Sequence, residues 1–176
     1  MEVGMRTLQH PYVSLAQESI HHYLNYSEKL SCPDPLSKDL TSRSGAFVSI
    51  KKLQQLRGCI GTLEPCEPNL AMEIIENALK AALHDPRFSP VTPEELQDLT
   101  YSIDVVRPLE KIADVSKLDP NVYGLVVKSN DKQGVLLPDL EGVDSTEEQI
   151  KICRAKGKIH DDEPIEMYRF KVDRFR

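Results

Sequence analysis

Ala46-Phe47-Val48-Ser49-Ile50 and Leu56-Arg57-Gly58-Cys59-Ile60 flank a polar stretch at 51–55. Apolar and β-branched residues concentrated in two short runs predict two strands joined as a hairpin, with a connection of five residues, or fewer if the strands run on. A helix is predicted next, over 68–83. Ala71, Ile75, Ala78, Leu79 and Ala82 share one side of it, and Glu76 stands four residues before Lys80 on the other. Past the loop His84-Asp85-Pro86-Arg87-Phe88, the run Thr92-Pro93-Glu94-Glu95 reads as a capping box with proline at the first helical position. The short helix it opens delivers the chain to a strand at 101–106.

Upstream, residues 11–28 carry Val13, Ala16, Ile20 and Tyr23/Leu24 at the spacing of a half-buried helix, with Pro11 in the first turn. Cys32-Pro33-Asp34-Pro35 ends it, because proline lacks a donor and restricts the residue before it. Downstream the order repeats. Gly124-Leu125-Val126-Val127-Lys128 and Gly134-Val135-Leu136-Leu137 form a second hairpin, and Ser145-Thr146-Glu147-Glu148 a second capping box opening a helix that Gly157 can close. A strand at 167–172 follows, alternating Tyr168, Phe170 and Val172 with Met167, Arg169 and Lys171. The expected fold is α+β: one domain over 1–176, a strand-strand-helix-strand unit duplicated at about 44–107 and 123–173, and an N-terminal helix packed across.

The 176 residues are 40% hydrophobic, an ordinary globular composition, which excludes disorder as the main state. No apolar run approaches the roughly 18 residues that span a bilayer, and residues 1–7 hold no apolar leader, so a cytoplasmic protein without membrane contact is expected. Lys plus Arg number 22 against 28 Asp plus Glu, and the net charge of −6 disfavours nucleic acid as a partner. The four cysteines, Cys32, Cys59, Cys66 and Cys153, have no CxxC spacing and read as thiols.

Alignment of the two hairpins sets Arg57-Gly58-Cys59-Ile60-Gly61 against Gln133-Gly134-Val135-Leu136-Leu137. The second copy keeps one glycine and loses the arginine, the cysteine and the second glycine, so a specialised site belongs in the first. Side chains two apart on a strand point the same way, with Cα atoms about 7 Å apart, so Arg57 and Cys59 share a face where a guanidinium favours thiolate. Gly58 and Gly61 let another backbone or a flat ligand approach. Thr62 and the amides near Pro68 offer donors to an anion. The residues alone fit a small buried Cys59 and a surface Arg57 better than they fit a site.

Leu56-Arg57-Gly58-Cys59-Ile60-Gly61-Thr62 resembles the LRGCIG signature, and next residue, of the AMMECR-one domain family. The likeness continues through Pro11-Tyr12-Val13, Gly45-Ala46-Phe47-Val48-Ser49, Glu73-Ile74-Ile75-Glu76-Asn77-Ala78, Asp85-Pro86-Arg87-Phe88, Pro93-Glu94-Glu95-Leu96, Gly134-Val135-Leu136-Leu137-Pro138 and Tyr168-Arg169-Phe170. It is most similar to the prokaryotic branch, protein A of the AmmeMemoRadiSam system. The resemblance implies a two-lobed α+β fold with the signature lining a cleft. It also implies a pathway shared with a Memo-like protein and a radical S-adenosylmethionine enzyme. It marks Arg57, Gly58, Cys59, Ile60 and Gly61, and from the second motif Asp85, Arg87 and Phe88.

Cys59 and Arg57 are therefore the expected catalytic pair, with Gly58, Ile60, Gly61, Thr62, Asp85 and Arg87 around an unknown small anionic molecule. These four side chains, Arg57, Cys59, Asp85 and Arg87, are expected to converge on one pocket between the lobes. A non-catalytic binding or scaffold module for the two partner proteins is the alternative, and a nucleotide or RNA modification factor a further one. No metal site is expected: His21 and His22 point about 100° apart on a helix, and His160-Asp161-Asp162-Glu163 lacks the spacing of a calcium loop. No cofactor is named by any motif.

Overall fold

The computed structural model describes residues 9–176, so the expectation about an N-terminal leader lies outside the described residues. The elements are α1 (Pro11–Tyr26), β1 (Ala46–Lys52), β2 (Gln55–Gly61), α2 (Leu70–Leu83), β3 (Leu99–Val106), β4 (Glu110–Ile112), β5 (Gly124–Ser129), β6 (Lys132–Leu136), α3 (Thr146–Gly157), β7 (Glu166–Phe170) and β8 (Val172–Phe175). They form two compact units. One runs up to Val105 and takes in Asp173–Arg176, and the other is Val106–Val172.

In the first unit four strands lie in the order β2-β1-β3-β8, with β1 antiparallel to both neighbours. The apolar side of α2 packs on this sheet: Ala71, Ile75 and Ala78 are fully buried, as are Val48, Ile50 and Ile103 of the strands. Val13, Ala16 and Ile20 of α1 complete the core against α2. Each larger side chain buried here contributes about 1.5–3 kcal/mol. Asn69 caps α2 by accepting the Met72 N–H at 2.9 Å, so Pro68 stands outside the helix that it was expected to open. The β1–β2 connection is only Leu53-Gln54, both at positive φ (48° and 69°), the backbone that a two-residue hairpin twisting with its strands requires.

The second unit has the strand order β4-β7-β5-β6, with α3 over β5 and β6 and a core of Leu118, Leu125, Val127, Leu136, Val143, Cys153 and Ile159. In each unit the strand after the helix pairs with the first strand of the hairpin, the connection order read from the sequence. The aligned glycines play the same part. A Cβ at Gly58 would lie 2.2 Å from the Ala81 carbonyl oxygen, and one at Gly134 1.8 Å from that of Cys153. Each glycine admits a covering helix onto its strand.

The strand expected over 167–172 is in fact two. β7 belongs to the second sheet and β8 to the first, separated at Lys171, whose carbonyl accepts the Arg107 N–H at 2.9 Å. Side-chain alternation runs unbroken through the switch, so it carries no mark of the change of sheet. Met167 lies opposite Val127 and packs into the core under α3, while Tyr168 lies opposite Val126 on the other face, with the Lys111 and Lys128 ammoniums over its ring.

Candidate functional site around Cys59

β2 is an edge strand, and the outward N–H and C=O groups of an edge strand have no sheet partner. At Cys59 the loop after α2 supplies both. Asp85 Oδ2 accepts the Cys59 N–H at 2.9 Å, and Arg87 Nη2 donates to the Cys59 carbonyl at 3.4 Å. The two side chains are locked together as a fork: Arg87 Nε to Oδ1 at 3.0 Å and Nη2 to Oδ2 at 2.7 Å, with the Arg87 N–H also on Oδ1 at 3.1 Å. The Asp85 side chain is 2% exposed and that of Arg87 53%. Arg87's hydrogen bond holds the Asp85 carboxyl down at about 2 against the desolvation that opposes it, helped by the Cys59 and Arg87 amides. The same bond raises the Arg87 guanidinium, as does negative charge on Cys59.

Cys59 is half-buried and faces Ser49 across the β1–β2 pair, where the Ser49 hydroxyl donates to Sγ at 3.2 Å. None of the four cysteines is in a disulfide. Cys66 is exposed, whereas Cys153 is sealed in the second core, where burial pushes its thiol up to about 12.

Arg57 stands two residues before Cys59, but the β1–β2 register skips it, with Gly58 opposite Ile50 and Leu56 opposite Lys51, and its guanidinium turns to Glu95. Nε meets Oε1 at 2.9 Å and Nη2 meets Oε2 at 3.0 Å, while Nη1 and Nη2 also donate to the Ser89 and Pro90 carbonyls at 2.9 and 3.3 Å. Lys52 adds a third cationic contact to Glu95 at 3.1 Å. The Glu95 carboxyl is held at about 2, first by Arg57. Arg57 thus ties the 84–95 segment to β2, and the structure joins Cys59, Asp85 and Arg87 directly while Arg57 anchors the next stretch of the same segment.

The other motif residues have internal partners. Gly58 receives α2, Ile60 packs against the core, and a Cβ at Gly61 would lie 2.3 Å from the Phe47 ring. The Thr62 hydroxyl donates to Glu73, a carboxylate only 1% exposed that also accepts the Cys66 and Glu67 N–H groups at 2.9 and 2.8 Å. The expected Thr62 donor is thus taken by the protein's own carboxylate, and at the start of α2 the Leu70 N–H goes to the Ser42 carbonyl and the Met72 N–H to Asn69.

Sequence reasoning missed Ser49, Glu73 and Glu95. Glu95 was absorbed by its capping box, which the structure does form, and Ser49 becomes relevant only once strand register is known. Glu73 had a usable signal: it and Asn77, four apart, interrupt an otherwise apolar helix side. Glu163 of the acidic run accepts from His160 N–H and Lys132. Among the described residues no group of three His, Cys, Asp or Glu is placed to hold a metal ion, and no helix is long and apolar enough to cross a membrane.

The AMMECR1 family model matches residues 13–175. A protein of Thermotoga maritima is 44% identical over 171 residues, covering 96% of this chain and 98% of its own. Protein CA_C1420 of Clostridium acetobutylicum is 44% identical over 168 residues, covering 94% of this chain and 36% of a longer one. The crystal structure of PH0010 from Pyrococcus horikoshii superposes with a TM-score of 0.85 at 28% identity, covering 93% of this chain and 88% of that one. With both sequence and fold matched from the first helix to the last strand, this chain belongs to the AMMECR1 family.

Proposed function

We propose that the first unit carries a small-molecule site with the Cys59 thiol as its chemical group, in an enzyme or catalytic subunit acting on a small anionic substrate. One observation carries this reading. Two charged side chains, one of them buried, hold the N–H and the C=O of Cys59, which fixes the backbone that carries the thiol and sets a guanidinium beside it. A thiolate there is the nucleophile, and Arg87 supplies the neighbouring positive charge. The family resemblance supports a pathway shared with a Memo-like protein and a radical S-adenosylmethionine enzyme.

A second reading, a non-catalytic module that binds such partners, is favoured by the Clostridium relative, where the matching stretch is 36% of a longer chain. Native mass spectrometry of the protein co-purified with the two proposed partners separates the two. For the first reading, a small molecule retained by the wild type is lost or left unconverted in Cys59→Ser. Unchanged ligand turnover in Cys59→Ser, with the partner complex intact, favours the second.

A further inference from the structure

Two arginines stand near Cys59, and the sequence puts both at the site, Arg57 in the catalytic pair and Arg87 among the residues around the anionic molecule. The structure distributes the donors differently. Arg57 has Nε, Nη1 and Nη2 all engaged, by Glu95 and by the Ser89 and Pro90 carbonyls, and its side chain is 14% exposed. Arg87 has Nε and Nη2 on Asp85, with Nη2 also on the Cys59 carbonyl, and Nη1 without a hydrogen-bond partner among the described residues. Its side chain is 53% exposed, and the carboxylate that orients it is 2% exposed.

An exposed guanidinium braced from behind by a buried carboxylate is an anion contact prepared in advance. The fork with Asp85 fixes the plane of the group, so the outer N–H groups are aimed before a ligand arrives and little side-chain entropy is lost on binding. We infer that Arg87 is the residue through which this site holds an anionic group, a carboxylate or phosphoryl oxygen of a small molecule, next to the Cys59 thiol. Arg57 is then a brace for the loop that carries Asp85 and Arg87. The inference rests on the reading of Cys59 as the working thiol and adds to it the residue that selects the ligand's charge.

Iodoacetate and iodoacetamide deliver the same carbon to a thiol and differ in charge, so the ratio of their rates at Cys59, normalised to a neutral model thiol, reads the local preference for anions. The expected preference for iodoacetate is about fivefold, the factor that one charge about 4 Å away gives in water, and inorganic phosphate suppresses it. Arg87→Gln abolishes the preference and Arg57→Lys keeps it, with near-ultraviolet circular dichroism checking that each variant is folded and the uncharged Arg87→Met taking the place of Arg87→Gln where that variant is not. A ratio unchanged in Arg87→Gln, or lost equally in folded Arg57→Lys, overturns the inference while leaving a reactive Cys59 intact. A Cys59 inert to both reagents removes the thiol reading instead. In that case titration with inorganic phosphate decides the inference: saturable shifts of the Arg87 Nε–H and Cys59 N–H resonances, absent in Arg87→Gln, support it, and their absence in the wild type overturns it.

Discussion

At the residue level, a spacing of two on a strand fixes a shared face only where no bulge intervenes, as one does at Arg57, and it never fixes the partner. Arg57 and Cys59 do lie two apart on β2, yet Arg57 reaches Glu95, 38 residues away in sequence, because the 84–95 segment returns along the strand edge. That Asp85 and Arg87 belong with Cys59 was legible from the motifs, which marked all three. What was not legible is that backbone groups of Cys59, not its sulfur, receive the charged pair. Both carboxylates of this cluster have pKa values depressed to about 2, from ordinary values of 3.8 for Asp85 and 4.5 for Glu95. A depressed carboxyl stabilises the fold above its unfolded value and loses that contribution as pH falls toward the folded one. Stability is therefore expected to drop as pH falls from about 4.5 to about 2, and the Asp85→Asn, Glu95→Gln double variant is expected to be less stable at pH 7 and flatter across that window. Urea midpoints at a series of pH values check this, and an unchanged slope in the double variant would mean that other groups govern acid unfolding.

At the element level, the hairpins and α2 were readable because their signals are local: strand runs, a short turn and one apolar helix side. The division of 167–172 between two sheets was not, because pairing with β3 or β5 is a long-range choice on which alternation is silent. The turn chemistry of the two hairpins differs in a testable way. Asn130 takes positive φ (52°) in the second, a residue suited to it, whereas the first places Leu53 and Gln54 there, with Leu53 76% exposed. Replacing Leu53-Gln54 by Asn-Gly is expected to raise stability by about 1 kcal/mol, read as a higher urea midpoint with the same slope. Gly58→Ala has the opposite sign. Its Cβ would meet the Ala81 carbonyl oxygen at 2.2 Å, so α2 must lift from β2, and a loss of about 3 kcal/mol or more is expected in thermal or urea unfolding. A near-neutral Gly58→Ala would show that α2 shifts at little cost and that the glycine serves something other than close packing.

At the level of the whole molecule, each unit has its own sheet, helix cover and apolar core, and the two share one connection order. The sequence repeat anticipated that order, and the alignment of Gly58 with Gly134 survives as a shared packing contact. The asymmetry survives too: the second unit has Val135 where the first has Cys59, and the charged clamp belongs to the first unit alone among the described residues. The cysteines sample the three environments that matter, half-buried and clamped at Cys59, exposed at Cys66, and sealed at Cys153. Site-resolved alkylation with iodoacetamide between pH 6 and 9, quantified by mass spectrometry of each cysteine peptide, tests the central claim that Cys59 is the working thiol. The expected result is that Cys59 reacts faster than the more exposed Cys66 below pH 7, with Cys153 labelled only on unfolding. Cys66 reacting first at every pH, with Cys59 appearing only alongside Cys153, would contradict it.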